Sequence, residues 1–258
     1  MEIINKYQQL SQEVRELSLI SKIQLLREQC IHEKNIEYYY LSNLLIIDIY
    51  IDHELLDDAL KILNKDICNI DNISFKYIYA FYLERIIFIN IKKKNFMNAF
   101  DAVSEKYNYI NKNDNDEVNR WNLEMAYIYA ELNDKTKALK CLKKILTNFP
   151  NNEILSHTLS NLTKLYIDLN KLDEAKKTLN ECYAVSLDKD GITYCNYLLA
   201  QILVRENKHN DALNLYENIF NEEVNPEFIS LSIDYLELLI NLKKFDKAQL
   251  LINRITPS

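Results

Sequence analysis

The chain has 258 residues, 48% of them apolar, and a formal net charge of −7. That apolar share supports a continuous core and excludes a disordered segment, while the acidic balance argues against a chain built mainly to bind nucleic acid, whose footprint is a basic face. A single glycine, Gly191, leaves no material for phosphate-cradling loops, dinucleotide fingerprints or nucleophile elbows, all of which need glycine for positive φ or close backbone approach.

The first 34 residues form an N-terminal helical segment, a cap or a dimerisation helix. Ile3, Tyr7, Leu10, Val14 and Leu17 step by four and three, the spacing of a bundle or coiled-coil seam. Ile20, Ile23 and Leu26 continue the stripe after a break expected near Ser18 to Ser21. The opening MEIINKYQQLSQEV lacks the basic and apolar blocks of a signal peptide. The most apolar run, Leu44 to Ile51, is short and carries Asp48, so no membrane-spanning segment is expected.

From residue 35 to 258 the chain repeats. A small residue recurs after a turn signal as Ala59, Ala99, Ala138, Ala175, Ala212 and Ala248, at separations of 40, 39, 37, 37 and 36 residues. Two positions earlier stand Asp57, Met97, Thr136, Asp173, Asn210 and Asp246. All but Met97 accept a hydrogen bond from, or complement the dipole of, a starting helix. Five positions earlier stand Asn133, Asn170 and Asn207, with Asn95 one place closer in the second repeat; asparagine tolerates the left-handed conformation that ends a helix. Each unit therefore ends one helix, turns, and starts another whose alanine lets the paired helix approach. Apolar residues four and seven further on continue the buried stripe: Leu142 and Ile145, Leu179 and Cys182, Tyr216 and Ile219, Ile252 and Ile255.

In the first helix of each pair, Tyr50, Tyr129 and Tyr166 lie nine residues before the alanine. Twelve before it are Ala126 and Ala200, with Ile47 and Ile87 there in the first two repeats. Gly191, Pro150 and Pro226 are expected in gaps between helices, and Pro257 in the tail. Polar clusters mark the connections at Asn64 to Ser74, Asn111 to Glu117, Asn148 to Glu153, Leu187 to Gly191 and Asn221 to Glu227. The second of these is the expected place for a change of curvature or a proteolytic nick.

This pattern of small residue, tyrosine, turn, alanine, apolar residues and proline resembles the tetratricopeptide repeat. The match is nearest over Asn119 to Asn152 and extends over about Asn35 to Ile255. The fold implied is all-α, a right-handed superhelical solenoid of about six helix pairs with an N-terminal helical cap. In such a superhelix the first helices line the concave face. Counting back from each alanine puts Phe81, Glu84, Phe88 and Ile91 there in repeat two, and Arg120, Leu123 and Tyr127 in repeat three. Repeat four offers His157, Ser160, Asn161, Lys164 and Asp168. Repeat five offers Tyr194, Tyr197, Gln201 and Arg205, and repeat six Ile233, Glu237 and Asn241.

The middle of that face, Arg120, Tyr127, Asn161, Lys164, Tyr197, Gln201 and Arg205, suits an extended peptide. Amides pair with peptide backbone, cations hold a carboxylate, and rings pack side chains. Long, degenerate repeats after a helical N-terminal element resemble the intracellular peptide-pheromone receptors of Gram-positive bacteria and their phages, the Rap and PlcR type. That resemblance implies a quorum-sensing regulator whose peptide contacts include Asn161, Lys164, Gln201 and Arg205. The chain departs from the DNA-binding members in having no helix-turn-helix, so either the output is a protein effector or the chain is a truncated or diverged relative, and no direct nucleic-acid contact is expected. A constitutive scaffold that binds a partner's tail or helix is the alternative.

No catalytic set is visible. His32, His53, His157 and His209 have no ligand-like neighbours at helical spacing. Cys30, Cys68, Cys141, Cys182 and Cys195 are odd in number and lack zinc or redox spacing, which reads as buried free thiols in a reducing cytoplasm. No cofactor, no metal and no enzyme activity are expected, and the seam in the first 34 residues leaves a homodimer open.

Overall fold

The computed structural model describes residues 2–70, 76–186, 188–221 and 231–255. Among them the secondary structure is helical, with no strand. Two helices, α1 (Glu2–Gln12) and α2 (Leu19–His32), precede the repeats. The repeats then run α3 (Ile36–Asp52) and α4 (Leu56–Ile70), α5 (Lys76–Lys92) and α6 (Phe96–Lys106), and α7 (Asn115–Glu131) and α8 (Lys135–Leu146). They continue with α9 (Asn152–Asp168) and α10 (Leu172–Val185), α11 (Lys189–Arg205) and α12 (His209–Asn221), and α13 (Ser232–Asn241) and α14 (Phe245–Ile255). By its contacts the chain divides into two compact units, Met1–Asn133 and Asp134–Ser258.

The register of the repeat is physical. The second helix of every pair begins three residues before its alanine, at Leu56, Phe96, Lys135, Leu172, His209 and Phe245. All six alanines are buried, as a small residue at a close helix approach must be. Leu142, Ile145, Leu179, Cys182, Tyr216 and Ile219 are buried as the stripe requires, each Leu or Ile contributing about 1.5–3 kcal/mol by leaving water. In the last repeat the stripe shifts: Ile252 is 37% exposed and Leu251 takes the buried place.

The turn inside each pair has one construction. The residue five before each alanine adopts positive φ: Glu54, Lys94, Asn133, Asn170, Asn207 and Lys243. Three are the expected asparagines. In repeat two the position belongs to Lys94; Asn95, at φ −88°, flanks the start of α6 instead. The next amide reaches back to an otherwise orphaned carbonyl, as in Leu55 N to Tyr50 O (2.8 Å), Lys171 N to Tyr166 O (2.9 Å) and Lys244 N to Leu239 O (2.8 Å). Lys34, also at positive φ, gives α2 and α3 the same turn, with Asn35 N bonded to Cys30 O at 2.8 Å.

Other sequence expectations are corrected. The N-terminal seam ends early: α1 stops at Gln12, and Val14 is 78% exposed in the connection to α2. Ile3, Tyr7 and Leu10 instead pack with Leu26, Cys30, Tyr38 and Tyr39, so α1 lies against α2 and α3. Asn64 to Ile70 belong to α4, because the cluster's Ile67 and Ile70 continue that helix's apolar periodicity. Gly191 lies in the first turn of α11 and not in a gap. Pro150 does fall between α8 and α9. Pro226, Pro257, Leu187 and residues 71–74 and 222–227 lie outside the described residues.

Candidate functional site

Within Asp134–Ser258 the candidate site is built on one face of α9. Asn151 caps that helix, its side chain accepting from Ile154 N at 3.0 Å. Helical spacing then places Asn152, Ser156, His157, Ser160 and Asn161 along a single stripe. These residues line a cavity of 620 Å³ together with Cys182 and Val185 at the end of α10 and Asp188, Gly191 and Tyr194 at the start of α11.

The corner between α10 and α11 explains the only glycine. Asp188 caps α11 by accepting from Gly191 N at 2.6 Å. A β-carbon on Gly191 would lie 3.0 Å from Asp188 Oδ1 and 3.3 Å from Ser186 Cβ, tighter than ordinary contact. Close approach, not backbone conformation, favours glycine here, since a β-carbon would have to push the Asp188 and Ser186 side chains aside. Ser186 continues the corner with a 3.0 Å hydrogen bond between its hydroxyl and that of Ser156.

The sequence candidates have different surroundings. Asn161 is half-buried, lines the cavity, and donates from its amide to His157 O at 2.8 Å. Ser160 also donates to His157 O, at 3.0 Å. Lys164, one turn beyond Asn161, is half-buried and is not part of the cavity wall. Tyr197 is only 4% exposed and packs between Tyr194 and Tyr216. Its hydroxyl hydrogen-bonds Asp234 on α13, and burial, reinforced by that carboxylate, pushes its pKa up. Gln201 joins the pair, donating to Tyr197 Oη at 2.8 Å and Asp234 Oδ2 at 2.6 Å. Tyr197 and Gln201 therefore tie α11 to α13. Arg205 is exposed at the last turn of α11, where a cation complements the helix dipole.

Arg120 and Tyr127 belong to the other unit, on α7, whose cap Asp114 accepts from Asp116 N and Glu117 N. Arg120 is exposed; Tyr127 is half-buried, and burial raises its hydroxyl's pKa. In the same unit Phe81 and Phe88 stand exposed on α5, with Arg85 over the first ring and Lys92 over the second.

Sequence reasoning missed Asp234 and the tight α10–α11 corner. An acid within the apolar run around Leu231 to Leu239 was a usable signal for the first; only tertiary contact reveals the second.

Family models of the tetratricopeptide repeat match residues 123–152 and 157–189. The second match contains His157, Ser160 and Asn161 of the α9 stripe and the Cys182 to Asp188 side of the cavity. The chain is an all-α protein carrying tetratricopeptide repeats, a type of fold that typically forms protein-interaction surfaces. Its fold resembles that of Rap protein complexed with Competence and Sporulation Factor, with a TM-score of 0.68 at 14% identity, over 98% of this chain and 75% of that one. BtubC from P. vanneervenii is similar with a TM-score of 0.54 at 15% identity, over 78% of this chain and 89% of that one. No curated protein is similar in sequence. Among the described residues no helix is long and apolar enough to cross a membrane, and no group of three or more His, Cys, Asp or Glu could hold a metal ion.

Proposed function

We propose that this chain is a non-enzymatic regulator that binds a short peptide or extended protein tail and signals by changing conformation. The observation that carries the reading is the 620 Å³ cavity along α9, within the size range of pockets that engulf a ligand. Its stripe of hydroxyl, imidazole and amide groups matches what an extended backbone requires. Asn161 contacts the peptide in the cavity, and Lys164 and Arg205 offer charge to its carboxylates. Gln201 and Tyr197 hold the α11 side. Arg120 and Tyr127 on α7 bind the same class of ligand on their own unit. Fold likeness to a Rap complex supports this reading and its quorum-sensing form, as does the repeat's own use as an interaction surface.

The test is fluorescence anisotropy with labelled short peptides from the small reading frames of the source genome, paired with small-angle scattering. A peptide should bind and contract the particle. Asn161→Ala and Arg205→Glu should each weaken binding about tenfold or more, the loss of a good hydrogen bond or ion pair, with the melting temperature unchanged. Undiminished binding by both variants would remove these residues from the site. Binding of a folded partner without any change of shape would favour the constitutive scaffold.

A further inference from the structure

Cys182 on α10 and Cys195 on α11 place their Sγ atoms 3.4 Å apart. Both are free thiols and 1% exposed. A disulfide has an S–S distance of about 2.0 Å, so bonding requires the sulfurs to close by about 1.4 Å. Ser186 Oγ lies 3.8 Å from each sulfur. The two cysteines differ in one respect: Cys182 lines the cavity and Cys195 stands behind it.

We propose that Cys182 and Cys195 form a reversible redox site, in which a small hydroperoxide entering the cavity oxidises Cys182 and Cys195 converts the product to a disulfide. In the first step the Cys182 thiolate attacks a peroxide oxygen and the O–O bond breaks. The departing oxygen takes up the proton that the thiol released, leaving Cys182 as a sulfenic acid. In the second step the Cys195 sulfur attacks the Cys182 sulfur and the S–O bond breaks. The hydroxide leaves with the Cys195 proton as water. Two thiols have then lost two electrons and two protons, and the peroxide has been reduced.

The order of events follows from the surroundings. The hydrogen bond from Cys195, helped by Ser186, lowers the pKa of the Cys182 thiol against the opposing effect of burial. The same hydrogen bond and burial push Cys195 up, and burial pushes up Cys30 and Cys141. The attacking sulfur is that of Cys182, because Cys182 lines the cavity through which a peroxide would enter and Cys195 does not. The bond would staple α10 to α11 and draw Val185, Ser186 and Tyr194, all in the cavity wall, with them.

The experiment uses the full chain carrying Cys68→Ser, because Cys68 is exposed and would compete. It is exposed to hydrogen peroxide at pH 7 and followed by intact mass and peptide mapping. The expected product is two hydrogens lighter, contains a linked Cys182–Cys195 peptide, and reverts with dithiothreitol. It should form about tenfold or more faster than any oxidation of Cys30 or Cys141. Cys195→Ala should leave Cys182 as a sulfenic acid trapped by dimedone, and Cys182→Ala should leave Cys195 unmodified. Equal oxidation of all four thiols, no linked peptide, or trapping of Cys195 in Cys182→Ala would each overturn the proposal. If either variant fails to fold, the mapping of the Cys68→Ser chain decides alone.

Discussion

The two units bury different chemistry. In Met1–Asn133 the buried polar side chains include Asp66, Lys106, Asn43, Asn90, Asn119 and Asn122; in Asp134–Ser258 those described are all hydroxyls, on Thr158, Ser160, Thr163, Thr178, Ser186 and Ser232. In the first set Asn90 and Asn122 bond within their own helices, to Ile86 O and Val118 O, but Asn43, Asp66 and Lys106 work between helices. Asp66 on α4 accepts from Asn43 on α3 at 2.6 Å and from Tyr82 on α5 at 3.1 Å. Lys106 on α6 pairs with Glu124 on α7 at 2.8 Å and Glu84 on α5 at 3.1 Å. The second set bonds mostly within its own helix, as Thr158 does to Ile154 O (2.7 Å) and Thr163 to Leu159 O (2.8 Å). There, apart from the tie of Tyr197 and Gln201 to Asp234, the helices meet largely through apolar and aromatic surfaces, with Tyr216 stacked on Tyr235 at 5.4 Å and Phe220 on Tyr235 at 5.6 Å. Directional bonds define one spacing between helices, whereas non-directional packing leaves small shifts inexpensive. In the unit that holds the candidate cavity, the α9 hydroxyls Thr158 and Thr163 bond within their own helix and set no such spacing.

Three substitutions can break or sharpen this contrast. Lys106→Met should have the largest effect, lowering stability in urea by about 2 kcal/mol, because it leaves the half-buried Glu124 without its cation. A loss below about 1 kcal/mol would mean the bridge is ornamental and the contrast false.

Asp66→Asn should come next and should act through pH. Burial raises the Asp66 pKa, against the lowering effect of the Tyr82 and Asn43 hydrogen bonds. A carboxyl raised on folding contributes stability below its unfolded pKa, about 3.9, and loses it as pH rises through the folded value. The native chain should therefore fall in stability relative to Asp66→Asn as pH rises from about 4 towards neutrality. Hydrogen exchange in α3 to α5 as a function of pH would show it; parallel profiles for the two chains would refute it.

Thr163→Val should matter least, within about 1 kcal/mol, since the partner carbonyl belongs to the same helix. A larger loss, read from the urea midpoint, would place Thr163 among the interhelical contacts.

Much of the fold was legible because the repeat imposes one residue type at one place. The six alanines announce themselves by size, and the start of each second helix follows from them. The turns were legible only where asparagine marks the left-handed residue. Glu54, Lys94 and Lys243 adopt the same conformation with side chains that carry no such signature. Gly191 invited a turn assignment, yet its constraint is a neighbour's atoms, which no local pattern records. The candidate site was less legible for a related reason. Helical counting puts Tyr197 and Gln201 on one face of α11, but α13 supplies Asp234 and occupies both. Counting along one helix cannot see what packs upon it.

The left-handed turns made without glycine bear on the denatured chain as well as the native one. A lysine or glutamate held at positive φ carries local strain of about 1 kcal/mol that glycine would relieve. The same residue wanders through far fewer backbone states than glycine once the protein unfolds. With one glycine in 258 residues, this polypeptide gives up less backbone entropy on folding than a glycine-punctuated array of the same length. Part of the stability of its repeats therefore originates in how little freedom the unfolded chain possessed.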